Sequence, residues 1–452
     1  MHSRSERELG SGFPAVTTPL HALTLRAAAN SIRAGELSSE AYTRALLERI
    51  AATDANVQAW AYLDPEGALA AAREADAERR AGAPVGPLAG IGIGVKDIVA
   101  TLDQPTQLGS PIYTGARPAY DANCIERLRQ AGGFVLGKTV TTEFAFIHPG
   151  KTRNPWRAGH TPGGSSSGSA AAVALGQVPA AIGTQTNGSL IRPAAYCGVV
   201  AFKPTLDALP FQGVNVFSPT LDTLGVLARS VADCALLASC LADPGGIPGD
   251  VEPIGRAPRL ALLAAFPWVA TSIEQEWAMH AALATLRDSG AVVTPVELAE
   301  AWHDAQRVHR MIMLYEGAQQ MRDLQARERE QLSAKLNAAL DEGREFGDGA
   351  YHAALARRDI LIAAITEWLA PFDAIVAPPA SASAPADLTH TGDPSCCTLW
   401  SLLGFPAVSI PIAVADNGLP LGLQLAATAG ADERLLAVAQ WCEERLAFKG
   451  LL

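Results

Sequence analysis

The segment TPGGSSSGSAAAVA, residues 161–174, is the most distinctive stretch of the chain. Its glycines and other small residues allow the backbone to approach another backbone segment or a ligand closely. The alanine-rich end, residues 170–174, is typical of a helix start, where the first N–H groups have no partner within the helix. Taken alone, such a segment fits three interpretations: a phosphate-binding loop, a flexible linker or a catalytic loop.

The phosphate-binding interpretation fails on composition. A loop of that kind ends in Gly-Lys-Ser or Gly-Lys-Thr, but no lysine lies between residues 161 and 201. The glycines in GIGIG, residues 90–94, do not form a dinucleotide fingerprint either, because Val95 follows them and no helix start is evident there. The linker interpretation fails once the residues downstream are included.

A second Gly-Ser pair follows in GTQTNGSLIRPA, residues 183–194, and Lys96 ends the apolar run at 91–96. In this order, a lysine, a Gly-Gly-Ser-Ser loop and a Gly-Ser pair followed by Arg and Pro-Ala, the chain resembles the amidase signature family. Further segments that resemble the family are FKPT at 202–205, SPTLD at 218–222, LGFPA at 403–407 and NGLPLGLQ at 417–424. The resemblance covers about residues 20–445.

The resemblance implies a serine amidase that needs no metal or cofactor, with Ser189 as nucleophile, Ser165 as proton relay and Lys96 as base. A serine hydroxyl is a weak nucleophile until a base removes its proton. Lys96 must be neutral to act, and burial lowers the pKa of a lysine because the ammonium form loses solvation. In the family, the relay serine follows a cis peptide bond, here Gly164–Ser165.

The resemblance also assigns an oxyanion hole to four backbone N–H groups, those of Thr186, Asn187, Gly188 and Ser189. One such donor stabilises a transition state by about 3 kcal/mol. The family commonly has glycine where this chain has Asn187. Because asparagine enters left-handed conformations more easily than most residues, we expect the backbone donor at this position to be retained.

Three residues are candidates for substrate contact: Arg192, Ser166 and Gln185. Gln185 stands where many relatives carry aspartate, which removes a negative charge near the nucleophile. The order SLIR at 189–192 displaces the arginine by one position and resembles the malonamidase-like branch of the family. Arg192 then either makes a structural contact with a carboxylate or the backbone, or binds a substrate carboxylate. Ser166 either supports the loop by hydrogen bonding or touches the substrate.

Composition narrows the class of protein. Hydrophobic residues make up 49% and charged residues 18% of the 452 residues, which suits a well-buried globular chain. The net charge is −11 and the basic residues are scattered, so we expect no nucleic-acid partner, because phosphate binding needs clustered Lys and Arg. The seven cysteines form neither a zinc-site spacing nor a disulfide framework.

Targeting signals are not evident in the sequence. Residues 1–14 are polar and unlike a secretory signal, and no apolar run has membrane-spanning length. We therefore expect a cytoplasmic protein without membrane contact, acting on a small-molecule amide or carbamate. No coiled-coil or other interface signal is present, so a homodimer is left open.

The pattern of elements predicts an α/β fold. Apolar strand-like runs at 91–97, 134–138, 374–377, 407–411 and 421–425 alternate with helical patterns at 22–51, 66–81, 121–132, 272–369 and from 433 onward. With the resemblance, this predicts the amidase signature fold, a mixed central β-sheet sandwiched by helices. We expect one domain, 1–452, made of N-terminal helices (1–82), a catalytic core (83–270), a helical segment capping the site (271–370) and the C-terminal part of the core (371–452).

Several functions are consistent with these residues. The leading one is hydrolysis of a carboxylic amide C–N bond through an acyl-enzyme on Ser189. Hydrolysis of carbamate (urethane), urea-type or anilide bonds would use the same mechanism. The glutaminase subunit of a tRNA-dependent amidotransferase would need a partner and ATP, and a catalytically inactive binding module would lack the activity altogether.

Overall fold

The structure is a computed structural model that describes residues 18–452. The stretch 1–14 that we interpret as unlike a secretory signal lies outside the described residues, as does the start of the predicted region 1–82. Within residues 18–452, no helix is both long and apolar enough to cross a membrane, and no group of three or more His, Cys, Asp or Glu side chains could hold a metal ion. All seven cysteines are free thiols.

Eleven strands form one mixed sheet in the order β1-β3-β2-β4-β6-β5-β10-β11-β9-β7-β8. The strands are β1 (Trp60–Leu63), β2 (Gly92–Lys96), β3 (Phe134–Thr139), β4 (Ala180–Gln185), β5 (Val200–Lys203), β6 (Thr223–Ala228), β7 (Arg259–Leu262), β8 (Val292–Pro295), β9 (Ala374–Ala377), β10 (Ala407–Val414) and β11 (Pro420–Ala426). Strand β2 pairs in parallel with β3 and β4, and β7 pairs in parallel with β8 and β9. The other pairs are antiparallel. The predicted mixed sheet is confirmed.

Fourteen α-helices are found in the described chain, and several of them pack against the sheet. They are α1 (Leu25–Ala34), α2 (Ser39–Val57), α3 (Pro65–Arg80), α4 (Asn123–Gln130), α5 (Ser167–Ala174), α6 (Ile191–Cys197), α7 (Val231–Leu241), α8 (Ile273–Asp288), α9 (Ala305–Gln320), α10 (Arg322–Glu328), α11 (Ala334–Glu345), α12 (Asp348–Leu369), α13 (Thr398–Leu403) and α14 (Asp432–Leu446). Helices α5, α6 and α7 contact the central strands, which confirms that helices flank the sheet.

The N-terminal helical pattern resolves into two helices with local caps. The hydroxyl of Thr24 accepts a hydrogen bond from the backbone of Ala27 at the start of α1, and Ser38 does the same for Ala41 at the start of α2. Between them, Gly35 ends α1 in a left-handed conformation with φ 79°. The predicted helix over 22–51 is therefore divided at Gly35.

The central strands are buried on both faces. Every residue of β2, β3, β4 and β6 is buried, so these strands do not alternate between apolar and polar residues. The sequence analysis identifies β2 and β3 from their short apolar runs but not β4 or β6, because strands buried on both faces lack the period-two alternation that would mark them. Strands β1, β5 and β7 were missed for the same lack of a pattern.

The helical segment predicted for 271–370 contains α8 to α12 and one strand. The expectation of helix throughout 272–369 is wrong at β8, which pairs with β7 at the edge of the sheet. This strand has four residues and is largely exposed, so neither burial nor length distinguishes it from a helix linker. Helix α9 packs against α11, α12 and α13, and two of its side chains reach the region of the predicted active site, as described below.

The contact between α9 and α11 depends on Gly343, where a Cβ atom would collide with the backbone carbonyl of Leu314. We expect Gly343→Ala to destabilise the protein by about 1–3 kcal/mol, because a backbone atom cannot move aside as a flexible side chain can. Gly349→Ala, on α12, is the matched control, since a Cβ there meets nothing within 4 Å and alanine favours helix. Thermal unfolding of both variants tests this, and equal melting temperatures would contradict it.

Candidate active site

Lys96 lies at the end of β2, between the parallel neighbours β3 and β4. Its Nζ atom is 2.7 Å from the hydroxyl of Ser165 and 2.7 Å from the hydroxyl of Thr184. The side chain is completely buried. Burial lowers the pKa of Lys96 to about 7, and the nearby carboxylate of Asp222 opposes this shift in part. A substantial fraction of this lysine is therefore neutral near pH 7.

Two other lysines are buried as completely as Lys96 but differ in their contacts. Lys138 donates to the hydroxyls of Thr106 and Thr101 at 2.6 and 3.3 Å, but also to the carbonyl of Val99 at 2.7 Å, and it lies 3.7 Å from a carboxylate oxygen of Asp97. Lys203 donates to the carbonyl of Pro204 at 2.9 Å. Carbonyl and carboxylate oxygens only accept hydrogen bonds, whereas a hydroxyl can also give up a proton. Of the three, Lys96 is the one whose nitrogen contacts only hydroxyls.

The glycine-serine loop is closely packed around its cis peptide. The Gly164–Ser165 bond is cis, as the resemblance implies. Gly163 has φ 81°, and a Cβ there would lie 2.7 Å from the Cα of Pro193. The carbonyl of Ser165 accepts from the backbone of Thr142 at 3.3 Å. The Ser165 side chain is consequently held in the interior beside Lys96, with 1% of its surface exposed.

Ser189 adjoins the same loop through the backbone. The N–H of Ser166 donates to the carbonyl of Ser189 at 3.2 Å. In the described chain, no hydrogen bond joins the hydroxyls of Ser165 and Ser189, and Ser189 retains 7% exposure. The structure thus brings Lys96 and Ser165 into direct contact and places Ser189 next to them without a hydroxyl-to-hydroxyl bond. Such bonds often tighten only when substrate is present.

The backbone before Ser189 carries a run of free donors. Among residues 18–452, no acceptor is found for the N–H groups of residues 186–189. The next two N–H groups, of Leu190 and Ile191, both donate to the side-chain oxygen of Gln185, at 3.0 and 3.1 Å. Gly188 and Ser189 are buried and Thr186 and Asn187 half-buried. Because buried N–H groups are nearly always paired, four consecutive free ones form an arrangement suited to an anionic oxygen. The left-handed residue of this turn is Gly188, with φ 77°, rather than Asn187.

Asn187 turns its side chain towards α13, where its oxygen accepts from the hydroxyl of Thr398 at 2.9 Å. Gln185 is internal as well, since its amide nitrogen donates to the hydroxyl of Ser401 at 3.0 Å and its oxygen caps the start of α6. Gln185 is 1% exposed. These contacts favour support of the loop over the substrate contact expected for Gln185.

Ser166 supports the loop, one of its two expected roles. Its hydroxyl lies 3.2 Å from the carbonyl and 3.3 Å from the backbone nitrogen of Thr184. The side chain is completely buried. Ser166 therefore ties the loop to the end of β4, beside Lys96.

Arg192 contacts the backbone, which fits the structural role rather than the substrate-binding role considered for it. Its Nη2 atom donates to the carbonyl of Gly164 at 2.6 Å and to the hydroxyl of Thr391 at 3.1 Å. The other two nitrogens, Nε and Nη1, are closed off from solvent and have no partner in the described residues. The guanidinium thus holds the peptide that precedes Ser165, and its free nitrogens are not accessible in this conformation.

Three residues around the site were not assigned roles from the sequence. Thr184 bonds to Lys96, as described above. Asp222 accepts from the Thr186 hydroxyl at 2.5 Å, and burial raises the pKa of its carboxyl to about 6. His309, on α9, places its Nε2 atom 3.0 Å from the carbonyl of Thr186. The SPTLD segment pointed to Asp222, but no local pattern in α9 singles out His309.

Comparison with protein families gives one family model, "Amidase", which matches residues 41–436. Among curated relatives, a glutamyl-tRNA(Gln) amidotransferase subunit of Roseiflexus castenholzii is 34% identical over 93% of this chain and 95% of that protein. The corresponding protein of Chloroflexus aggregans is 40% identical, but the alignment spans 62% of this chain and 61% of that protein.

Solved structures resemble the chain over nearly its whole length. A crystal structure of an amidase has a TM-score of 0.86 and 30% identity, covering 94% of this chain and all of that one. The peptide amidase of Stenotrophomonas maltophilia has a TM-score of 0.81 and 32% identity, covering 95% and 98%. The family match, the fold and the lysine-serine contact agree: the chain belongs to the amidase signature family, whose enzymes hydrolyse C–N bonds.

Proposed function

We propose that this protein is a self-sufficient amidase that cleaves a carboxylic amide to an acid and ammonia or an amine. The observation that carries the proposal is the 2.7 Å contact between Lys96 and Ser165, in a site that also contains four free N–H groups leading to Ser189. A base, a relay and a set of oxyanion donors are what serine-based acyl transfer requires.

Acylation begins with attack of the Ser189 oxygen on the amide carbon. The Ser189 proton passes to the Ser165 oxygen as Ser165 gives its own proton to the Lys96 nitrogen. The carbonyl π electrons move to oxygen, and the free N–H groups at 186–189 would stabilise the resulting anion. When the tetrahedral intermediate collapses, the C–N bond breaks and the proton returns from Lys96 through Ser165 to the leaving nitrogen.

Deacylation repeats the sequence with water in place of Ser189. Water gives a proton to Ser165 and attacks the ester carbon, and Ser165 again passes its own proton to Lys96. Collapse of the second intermediate releases the acid and returns the proton to Ser189. The mechanism needs no net proton from outside, because Lys96 is neutral before each half-reaction and after it.

The contacts of Lys96 suit this role. A neutral amine has two N–H groups and one lone pair. If one N–H donates to Thr184, the lone pair can face the Ser165 hydroxyl, and the 2.7 Å separation fits a hydrogen bond in that direction. Thr184 is then a positioning residue that orients the Lys96 lone pair.

A second candidate is the glutaminase component of an amidotransferase, as the names of the curated relatives suggest. Its chemistry at Ser189 would be the same, but the substrate would be glutamine and the activity would depend on partner proteins. The internal Gln185 and the displaced Arg192 distinguish this chain from the common family pattern and weaken this candidate.

Amine release by the purified chain, without ATP or partner, tests the proposal. The panel contains small aliphatic amides, peptide amides, anilides, carbamates, monoamides of dicarboxylic acids and glutamine. We expect turnover of at least one compound other than glutamine, and a loss of at least about a thousandfold in Ser189→Ala and Ser165→Ala. Ser167→Ala is the matched control, because that loop hydroxyl bonds only to the carbonyl of Val140. Activity confined to glutamine and dependent on added partner proteins would favour the second candidate.

The pH dependence of kcat/KM on an uncharged amide tests the role of Lys96. Its pKa is about 7, and the neutral form is the active one. Activity should rise about tenfold per pH unit below pH 7 and level off above it. Asp222 is the carboxylate that raises this pKa, so Asp222→Asn should move the inflection to lower pH. An inflection that stays in place or moves upward in Asp222→Asn would contradict this assignment.

A further inference from the structure

We propose that His309 is a positioning residue that fixes the oxyanion-hole donors by holding the Thr186–Asn187 peptide unit. The inference rests on the proposed function and extends it to the helical segment that covers the site. His309 lies on α9, 123 residues from Thr186.

The hydrogen bond between His309 and Thr186 has a defined direction. The carbonyl oxygen of Thr186 can only accept, so the ring nitrogen Nε2, 3.0 Å away, carries the hydrogen. His309 is 1% exposed, and burial lowers the pKa of its ring to about 4. The ring is therefore neutral near pH 7, and the contact with Thr186 fixes the Nε2–H tautomer.

Because a peptide unit is planar, the hydrogen bond at the Thr186 carbonyl also fixes the direction of the next N–H, that of Asn187. The Thr186–Asn187 peptide is trans, since the cis peptide of the described chain is Gly164–Ser165. In a trans peptide, the C=O and the following N–H point in opposite directions in one plane. Holding the Thr186 carbonyl towards His309 therefore aims the Asn187 N–H away from α9. That N–H is one of the four free donors at residues 186–189.

Thr186 is held at a second atom, its hydroxyl. The hydroxyl donates to Asp222 at 2.5 Å, and the other oxygen of Asp222 accepts from the backbone of Phe217 and Ser218 at 2.7 and 3.0 Å. The Ser218 hydroxyl donates to Glu316 at 2.5 Å. Contacts at the carbonyl and at the side chain together resist rotation of the peptide plane about its flanking bonds.

Helix α9 carries both the side chain that contacts the Thr186 carbonyl and the side chain that contacts the segment holding the Thr186 hydroxyl. Glu316 lies seven residues after His309, which places the two side chains on one face of the helix. The carboxylate of Glu316 also accepts from the backbone and hydroxyl of Thr220, and from the hydroxyl of Tyr351 on α12 at 2.7 Å. Two consecutive turns of α9 thus hold the loop directly through His309 and indirectly through the segment 217–222.

The alternative is that His309 only fills space in the core. The two roles make different predictions for a side chain that keeps the donor but loses the ring. Glutamine carries an Nε2 amide donor at a similar distance from the backbone, whereas leucine fills volume without a donor. Loss of the donor also leaves the half-buried Thr186 carbonyl without its partner, and the peptide can then turn to find another one.

The experiment measures the second-order rate of Ser189 modification by a fluorophosphonate, followed by intact mass. This probe places a developing anionic oxygen in the same donors as an amide does. We expect His309→Leu to slow modification by about 10- to 100-fold, which does not exceed the rate loss expected when a whole oxyanion-hole donor is removed. His309→Gln should recover most of the rate. On an amide substrate, His309→Leu should lower kcat and leave KM within about twofold, because ground-state binding does not use the oxyanion.

His303→Leu is the matched control. It removes a similar ring-to-carbonyl contact, with Leu298 at 3.2 Å, just before α9 and away from the loop, so its modification rate should equal that of the unaltered chain. Melting temperatures are measured for all variants. If His309→Leu is folded and reacts at the unaltered rate, or if a folded His309→Gln is as slow as His309→Leu, the inference is overturned. If His309→Leu does not fold, the rate of His309→Gln decides.

Failure of the proposed function gives a different result. An unaltered chain that is folded, forms no adduct at Ser189 and hydrolyses no amide would overturn the proposed function, and the inference with it. An unaltered chain that forms the adduct, with His309→Leu unchanged, overturns the inference about His309 alone.

Discussion

The complete burial of the Lys96 amine, which lowers its pKa to about 7, is the feature on which the proposed chemistry depends. A lysine ammonium moved into the interior loses its hydration, and the group responds by releasing its proton more easily. Lowering the pKa in this way requires that the lysine side chain be enclosed on every side. Strand β2 supplies this enclosure, because all five of its residues are buried and it lies between two parallel neighbours. The mixed sheet with helices on its faces is therefore a condition for the chemistry that we propose and not only a scaffold for it.

The same enclosure explains the composition of the glycine-serine segment. Every residue from 161 to 174 is buried, so the small side chains that suggested a flexible linker instead permit close packing. A Cβ at Gly164 would lie 2.8 Å from the Thr391 side chain, and one at Gly183 would lie 2.8 Å from the Ser166 hydroxyl. Larger residues at these two positions would displace the chain segments that surround Lys96.

The sequence predicted this part of the site well because its residues lie in short motifs. The alternation of strand-like and helical patterns, with the family resemblance, predicted the mixed sheet, and the resemblance carried by Lys96, Ser165 and Ser189 implied the cis peptide and the lysine-serine contact. Strands β4 and β6 were not predicted, because buried strands of small residues carry no period-two pattern. The contacts of Thr184 and His309 could not be predicted at all, since each residue reaches the site only through tertiary structure. A single histidine on a helix gives no spacing signal, and its partner is a backbone carbonyl that sequence does not distinguish from any other.

The segment 271–370 therefore has two physical tasks that are carried by opposite faces of α9. The inner face, with His309 and Glu316, contacts the loop at 186 and the segment at 217–222. The outer face carries exposed charges such as Arg310, which pairs with Glu342 on α11. An exposed ion pair contributes little to stability and tolerates change, whereas the inner contacts are buried and geometrically specific. If the loop at 186–189 is the oxyanion hole that we propose, a change in this segment leaves the loop unaltered only where it spares the inner face of α9. Helix α9 is joined to the loop at 186 and to the segment 217–222 by hydrogen bonds at that face.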